Sequence, residues 1–193
     1  MSNDPAADQE LLPTPLIATI SAIHAAPPRL VYAFAGAGSL ALFWLHAVAG
    51  SSRTVLEAVD CYAPGSLASI AGTALAPAVS PATAAAMADW AYARAIMLAD
   101  QPGPLLGIAC TAAITTDRTR RGADRAFVAV RGPTGPRRYA LNLRDGNNPT
   151  TRDRLGQEYL VSHLVLMAIA EACDLPAPPL DLLPGEGLER RVG

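Results

Sequence analysis

The segment from residue 30 to residue 48 limits the folds that are open to this chain. Residues 30–35 are continuously apolar, the run breaks at two glycines, and aliphatic and aromatic residues then resume at helical spacing. This order predicts a buried strand, a tight turn and a helix. Glycine lets backbone N–H groups approach an anion, a serine caps the helix, and the helix start carries positive partial charge. The turn residues Gly36, Ala37, Gly38 and Ser39 therefore form a candidate anion cradle, although packing alone also selects small residues at such a turn.

Length and charge limit the number of domains and the kinds of partner and catalyst that this chain can have. A chain of 193 residues suits one domain, which we place at residues 14–174, with a flexible N-terminal tail at 1–13 and a Pro- and Leu-rich C-terminal tail at 175–193. The net charge of −2 argues against nucleic acid or an anionic membrane as a partner. All 15 cationic residues are arginine, which excludes a Schiff-base lysine or a lysine general base.

Cysteine usage and the N-terminus indicate the compartment. Cys61, Cys110 and Cys173 are odd in number and widely separated, so we expect neither a disulfide framework nor a zinc cluster. The first ten residues are polar and acidic, unlike a secretory signal. We expect a cytoplasmic protein without metal or cofactor, in which His24 serves as a polar cap near the end of the first helix.

A transmembrane helix is an alternative interpretation of residues 30–50, which carry no formal charge over a length that could cross a bilayer. The glycines and Ser39 in the middle of the segment, together with His46, argue against it.

The remaining pattern predicts a layered α/β/α sandwich with a mixed sheet. Apolar residues at helical spacing, proline at helix starts and alternating faces divide the chain into elements. We predict helices at residues 15–26, 39–48, 64–75, 81–99 and 152–173, and strands at 30–35, 54–62, 105–114, 126–131 and 138–144.

Two further stretches are candidate ligand contacts. Tyr62 lies at the end of the second strand, where open sheets usually bind ligands, although a partly buried structural tyrosine is an equal alternative. Residues 115–121 place three arginines within four positions. In this loop Asp117, Arg118 and Arg121 are candidates for holding a phosphate or carboxylate, and the alternative is a solvated loop.

Several motifs between residues 15 and 173 resemble the C-terminal domain of the CinA family. Residues 79–88, Val-Ser-Pro-Ala-Thr-Ala-Ala-Ala-Met-Ala, resemble the family's Val-Ser-Glu-Glu-Thr-Ala-Arg-Ala-Met-Ala. Residues 48–52, Val-Ala-Gly-Ser-Ser, resemble its Val-Pro-Gly-Ala-Ser, and Asp-Cys-Tyr at 60–62 falls on its Val-Ala-Tyr. Residues 106–111 match the strand that leads into Thr-Gly-Ile-Ala-Gly-Pro, and residues 125–130 replace the strand Gly-Thr-Val-Tyr-Leu-Ala. Active members of this family are nicotinamide-nucleotide amidases, and the resemblance also implies a homo-oligomer.

The chain departs from the family at its catalytic residues. Family enzymes carry Glu-Ser-x-Thr-Gly-Gly at the first loop, and the nucleophilic serine of that motif falls on Ala35. The lysine that activates this serine falls on Leu67. Tyr62 and Thr111 remain from the family pocket.

These observations lead to three functional hypotheses. The first is a domain that binds a nucleotide or another phosphorylated small molecule and lacks the amidase reaction. The second is a nicotinamide mononucleotide deamidase that uses altered residues; Ser39, Cys110 or Thr111 would then replace the nucleophile, although no base is positioned by the sequence. The third is a structural or interaction module, for which the Leu- and Pro-rich tail is the hint.

Overall fold

The computed structural model describes residues 12–72, 77–117, 122–143 and 152–192. In this part of the chain, five α-helices and six strands follow one another in an α/β order. The helices are α1 Thr14–Ala25, α2 Ser39–Ala47, α3 Pro64–Ala71, α4 Pro81–Leu98 and α5 Arg154–Ala172. The strands are β1 Arg29–Ala35, β2 Val55–Asp60, β3 Leu105–Ala113, β4 Arg125–Arg131, β5 Arg137–Asn142 and β6 Gly187–Val192.

The strands form one mixed sheet in the order β2-β1-β3-β4-β5-β6. Strand β1 pairs in parallel with both β2 and β3, while β4, β5 and β6 add in antiparallel fashion. Within the parallel half, β2 is a partly buried edge strand, whereas β1 is flanked by a strand on each side and all but its first residue is buried. This architecture confirms the predicted α/β/α sandwich with a mixed sheet.

Helices cover both faces of the sheet. Apolar residues of α1, α2 and α5 pack with one face of the sheet into the larger core. Small residues of α3 and α4 pack on the other face, mostly alanine and Met87. Because alanine side chains are short, α4 lies close to the central strands, and its surroundings define the cavities described below.

Local signals explain where the long helices begin. The side chain of Ser80 accepts a hydrogen bond from the Thr83 N–H at 3.1 Å, and Pro81 occupies the first helical position of α4. Asp153 caps α5 in the same way, accepting from the Gly156 N–H at 2.7 Å. The sequence predicted both starts to within two residues.

Residues 30–50 do not form a single membrane-length helix, because they divide into β1, a glycine turn and α2. Within the described ranges, none of the helices combines the length and the apolar character that crossing a bilayer requires.

The C-terminal tail contains a strand that the sequence analysis did not predict. Strand β6 pairs with β5 along its length, from Asn142 opposite Gly187 to Arg137 opposite Val192. Its Leu-Glu-Arg-Arg core has no apolar alternation, because it is an edge strand with much of its surface in solvent. The first eleven residues of the predicted N-terminal tail and the last residues of the predicted helix 64–75 lie outside the described residues.

Candidate functional site

A cavity of about 340 Å³ lies at the carboxyl ends of β1, β2 and β3, between α3 and α4. Parallel strands that are joined by helices end at one edge of the sheet, which is where open α/β sheets usually bind ligands. The lining residues are small, apolar or hydroxylic: Ala35, Gly36, Cys61, Tyr62, Pro64, Leu67, Ala68, Ala71, Gly72, Ala78, Val79, Thr83, Thr111 and Ala112.

The two glycines of the first turn are required by the protein's own packing. Gly36 has φ +87°, and a Cβ there would overlap the carbonyl oxygen of Ala112 at the end of β3. Gly38 has φ +105°, and a Cβ there would overlap the hydroxyl of Tyr32, which donates a hydrogen bond to the Gly38 carbonyl at 3.0 Å. A left-handed backbone and these close approaches both demand glycine, without reference to a ligand.

The N-terminus of α2 already holds an anion, and that anion is the carboxylate of Glu158 on α5. The Gly38 N–H donates to its two oxygens at 3.1 and 3.0 Å, and the Leu40 N–H donates at 3.1 Å. The hydroxyls of Ser39 and Ser162 donate to the same carboxylate at 2.9 and 3.1 Å. The sequence pattern predicts that Ser39 caps this helix and that an external anion binds there. In the structure Gly38 is the cap residue, and the carboxylate of Glu158 supplies the negative charge.

The other candidate residues fall in three places. Tyr62 and Thr111 line the cavity, with Tyr62 71% exposed and Thr111 buried. Ala37 is buried in the core on the opposite side of the sheet, and Asp117 is exposed and does not line the cavity. Arg118 and Arg121 lie outside the described residues. Of the predicted set, the structure therefore brings Gly36, Tyr62 and Thr111 together.

The two threonine hydroxyl groups of the cavity wall are bound to backbone carbonyls. Thr111 donates to the Ala78 carbonyl at 2.9 Å, and Thr83 donates to the Pro77 carbonyl at 3.0 Å. Burial is the main reason that the pKa of the Cys61 thiol is raised, with nearby Asp60 adding to the shift, so the thiolate is disfavoured. These three side chains form part of the cavity wall, and none of them is an activated nucleophile.

One cation of the described chain contacts the cavity wall. Arg125, at the start of β4, places its guanidinium 3.4 Å from the carbonyl oxygen of Val79, a lining residue. Sequence reasoning missed Arg125, since nothing local distinguishes it from other surface arginines. It also missed Thr83, although this residue is the threonine of the motif at residues 79–88. In the described residues, no group of three or more His, Cys, Asp and Glu side chains is placed to hold a metal ion.

Comparison with known proteins rests on structure, because no family model and no curated protein matches this sequence. A competence-damaged protein (CinA) superfamily protein from Klebsiella pneumoniae matches with a TM-score of 0.57 at 17% identity, over 83% of this chain and 96% of that one. The corresponding superfamily protein from Enterobacter cloacae matches with a TM-score of 0.54 at 18% identity, over 90% and 98%. The competence/damage inducible protein CihA from Agrobacterium tumefaciens matches with a TM-score of 0.53 at 17% identity, over 86% and 96%. The predicted resemblance is confirmed at the level of structure: this chain has the fold of these CinA-superfamily structures.

Proposed function

We propose that the cavity at the carboxyl ends of β1, β2 and β3 binds a nucleotide or another phosphorylated small molecule, and that the chain does not hydrolyse amides. One observation carries the proposal. Ala35 and Leu67, the positions that the family resemblance assigns to the nucleophilic serine and its activating lysine, both line this cavity. By this resemblance, hydrocarbon side chains in the cavity wall take the places of the two groups that perform acyl transfer, which supports binding without hydrolysis.

The remaining side chains do not replace these groups. Amide hydrolysis needs a nucleophile with a base in hydrogen-bond reach. The residues that line the cavity in the described chain include no His, Asp or Glu, and Thr83 and Thr111 donate their hydroxyl protons to backbone carbonyls. The thiol of Cys61 has a raised pKa and stays protonated near neutral pH.

The cavity has an uncharged lining and a cationic rim, so it favours a ligand that has a neutral part and a phosphate. The uncharged lining suits a neutral ring or sugar, because an unpaired phosphate in this apolar wall would be costly. Arg125 at the rim, and Arg118 and Arg121 by the sequence-based assignment, suit the phosphate. The ligand would then lie with its neutral part inside and its phosphate at the mouth.

Thermal unfolding and calorimetry with nicotinamide mononucleotide, AMP and inorganic phosphate test binding. A ligand at 100 times its dissociation constant should stabilise the fold by about 2.7 kcal/mol. We expect Arg125→Gln, Arg118→Ala and Arg121→Ala to weaken nucleotide binding at least fivefold and leave the unliganded fold intact. Arg131→Gln is the matched control, because Arg131 is exposed at the other end of β4, paired with Asp89 at 3.7 Å. Equal affinity in all four variants would remove these arginines from the site.

Ammonia release from nicotinamide mononucleotide tests the absence of amidase activity. We expect none from the natural chain, and turnover above the buffer rate would overturn this half of the proposal. The double variant Ala35→Ser, Leu67→Lys restores a hydroxyl and an amine to one apolar cavity, where desolvation favours the neutral amine. We expect ammonia release from the double variant and none from either single variant.

A further inference from the structure

A second cavity, of about 260 Å³, lies over β4, β5 and β6 on the face of the sheet that carries α4. The start of α4 forms one wall through Pro81 and Ala84, and Phe127 and Ala140 lie side by side on the strands beneath. Neither the family resemblance nor the proposed function involves this cavity. Its outer strand, β6, lies beyond residues 15–173, which carry the resemblance.

Two exposed arginines lie opposite each other in the wall of this cavity, and the side chain of Arg191 is 82% exposed. The register of β5 and β6 places Arg138 directly opposite Arg191, and both line the cavity. Like charges at directly opposed positions of an antiparallel pair repel each other. Within the described residues Arg138 has neither a hydrogen-bond acceptor nor an ion-pair partner, and Arg191 has a 3.8 Å ion pair with Glu189, whose side chain is 64% exposed. The protein itself does little to neutralise this pair of guanidinium groups.

The next row of the sheet carries two apolar residues and Glu189. Phe127 pairs with Ala140, which pairs in turn with Glu189, so an aromatic ring and a methyl group lie beside the two arginines on the same face. Arg125 lies 5.8 Å from the centroid of the Phe127 ring on this strand. An apolar floor next to two cationic groups is complementary to a molecule with an apolar body and a single anionic head.

We propose that this second cavity binds a small organic anion. Its apolar or aromatic body would lie on Phe127 and Ala140, and its carboxylate or phosphate would lie between Arg138 and Arg191, where planar guanidinium groups form paired hydrogen bonds. The volume lies just below the usual range of ligand pockets, roughly 300–1,000 Å³, which favours a small molecule over a peptide. Binding would also relieve the repulsion between the two arginines, so such a ligand should stabilise the fold.

Calorimetric titration of the full chain with four probes tests the proposal: benzoate, phenyl phosphate, neutral benzamide and inorganic phosphate. We expect benzoate, phenyl phosphate or both to bind at least tenfold more tightly than benzamide and inorganic phosphate, because both the apolar body and the charge contribute. The ranking of benzoate against phenyl phosphate identifies the head group. Amide resonances of β4, β5 and β6 should shift in NMR spectra on addition of the tighter probe.

Variants on the strands locate the site. Arg138→Gln and Arg191→Gln should each weaken binding at least fivefold, and Phe127→Ala should weaken it by a similar factor. Glu189→Gln should tighten binding about twofold or more, since Arg191 then loses a competing carboxylate. Arg94→Gln is the control, because it removes one positive charge near the opposite edge of the sheet, where Arg94 pairs with Glu57 of β2. Circular dichroism melting confirms that each variant folds.

Three results would overturn the proposal. The first is an affinity that is unchanged in the arginine variants and in Glu189→Gln. The second is benzamide binding as tightly as benzoate and phenyl phosphate. The third is the absence of binding by either anion below about 10 mM, including the case in which only an acidic peptide binds this face.

Discussion

At the scale of single residues, His24 shows how a polar group is accommodated in the core. Its Nε2 lies 2.9 Å from the carbonyl oxygen of Leu45, which can only accept, so Nε2 carries the proton. Its Nδ1 lies 2.8 Å from the hydroxyl of Thr54, which therefore donates to it. His24 is thus a buried, neutral link between α1, α2 and the turn before β2, rather than the helix cap that its position suggested.

This environment predicts that the chain loses stability as the pH falls. Burial is the main reason that the pKa of His24 is lowered, and the charges of Arg53 and His46 add to the shift. Below a pH of about 6.5 the unfolded state therefore binds more protons than the folded state. As the pH decreases in this range, the free energy of unfolding decreases by up to about 1.4 kcal/mol per pH unit for one such residue. Urea unfolding at a series of pH values between about 5 and 8 measures this slope. His24→Gln should flatten the slope and cost about 1–3 kcal/mol at pH 8, since it disturbs two buried hydrogen bonds.

His163 provides the matched comparison. Burial also lowers its pKa, but its buried Nε2 has no hydrogen-bond partner in the described structure. We expect His163→Leu to flatten the pH slope as well, yet without a loss of stability at pH 8, because no hydrogen bond from Nε2 is removed. If both variants cost the same at pH 8, the hydrogen bonds of His24 do not contribute as the structure indicates.

Individual residues also show which parts of the site could be predicted from the sequence and which could not. The glycine turn, Tyr62 and Thr111 were identifiable, because a strand end and a motif point to them. The role of Gly38 was not, since its N–H is bound by Glu158, which is 120 positions away along the chain. A local pattern identifies the donors at a helix start, but only the tertiary fold determines which acceptor reaches them.

At the scale of elements, Glu158 joins α5 to the start of α2. Glu158→Ala would leave the N–H groups of Gly38 and Leu40 and the hydroxyls of Ser39 and Ser162 without this acceptor. We expect a loss of about 1–3 kcal/mol in the free energy of unfolding, measured by urea denaturation at pH 7. The stability of Glu158→Gln should lie between that of the natural chain and that of Glu158→Ala, because one amide oxygen still accepts hydrogen bonds.

Two further measurements separate capping from general disruption. Ser162→Ala removes one of the four donor groups and should cost less than about 1 kcal/mol. Added sulfate should recover part of the stability of Glu158→Ala beyond its effect on the natural chain, since the vacated helix start becomes an anion site. A Glu158→Ala variant as stable as the natural chain would show that the carboxylate does not hold these elements together.

At the scale of the whole molecule, the sequence predicted the layers and five of the six strands. The buried strands β1 and β3 could be predicted because their long apolar runs follow prolines, and the run of β1 also ends at a glycine. Strand β6 could not be predicted in this way, because an edge strand tolerates charged residues on both faces. Its pairing is specified by contacts distant in sequence, such as Arg190 with Glu171 on α5 at 2.9 Å.

A buried carboxylate lies in the C-terminal segment just before β6. The side chain of Glu186 is 2% exposed, pairs with Arg152 at 3.0 Å and accepts the Leu183 N–H at 2.7 Å. Glu186→Ala leaves the largely buried guanidinium of Arg152 without its counter-charge, so we expect a loss of about 2–4 kcal/mol in urea unfolding and faster hydrogen exchange along β5. Glu189→Ala is the control: this carboxylate is on β6 itself but is 64% exposed, and its removal should cost less than about 0.5 kcal/mol. Equal effects of the two variants would mean that β6 is held by its strand pairing alone and that the buried ion pair contributes nothing to closing the sheet.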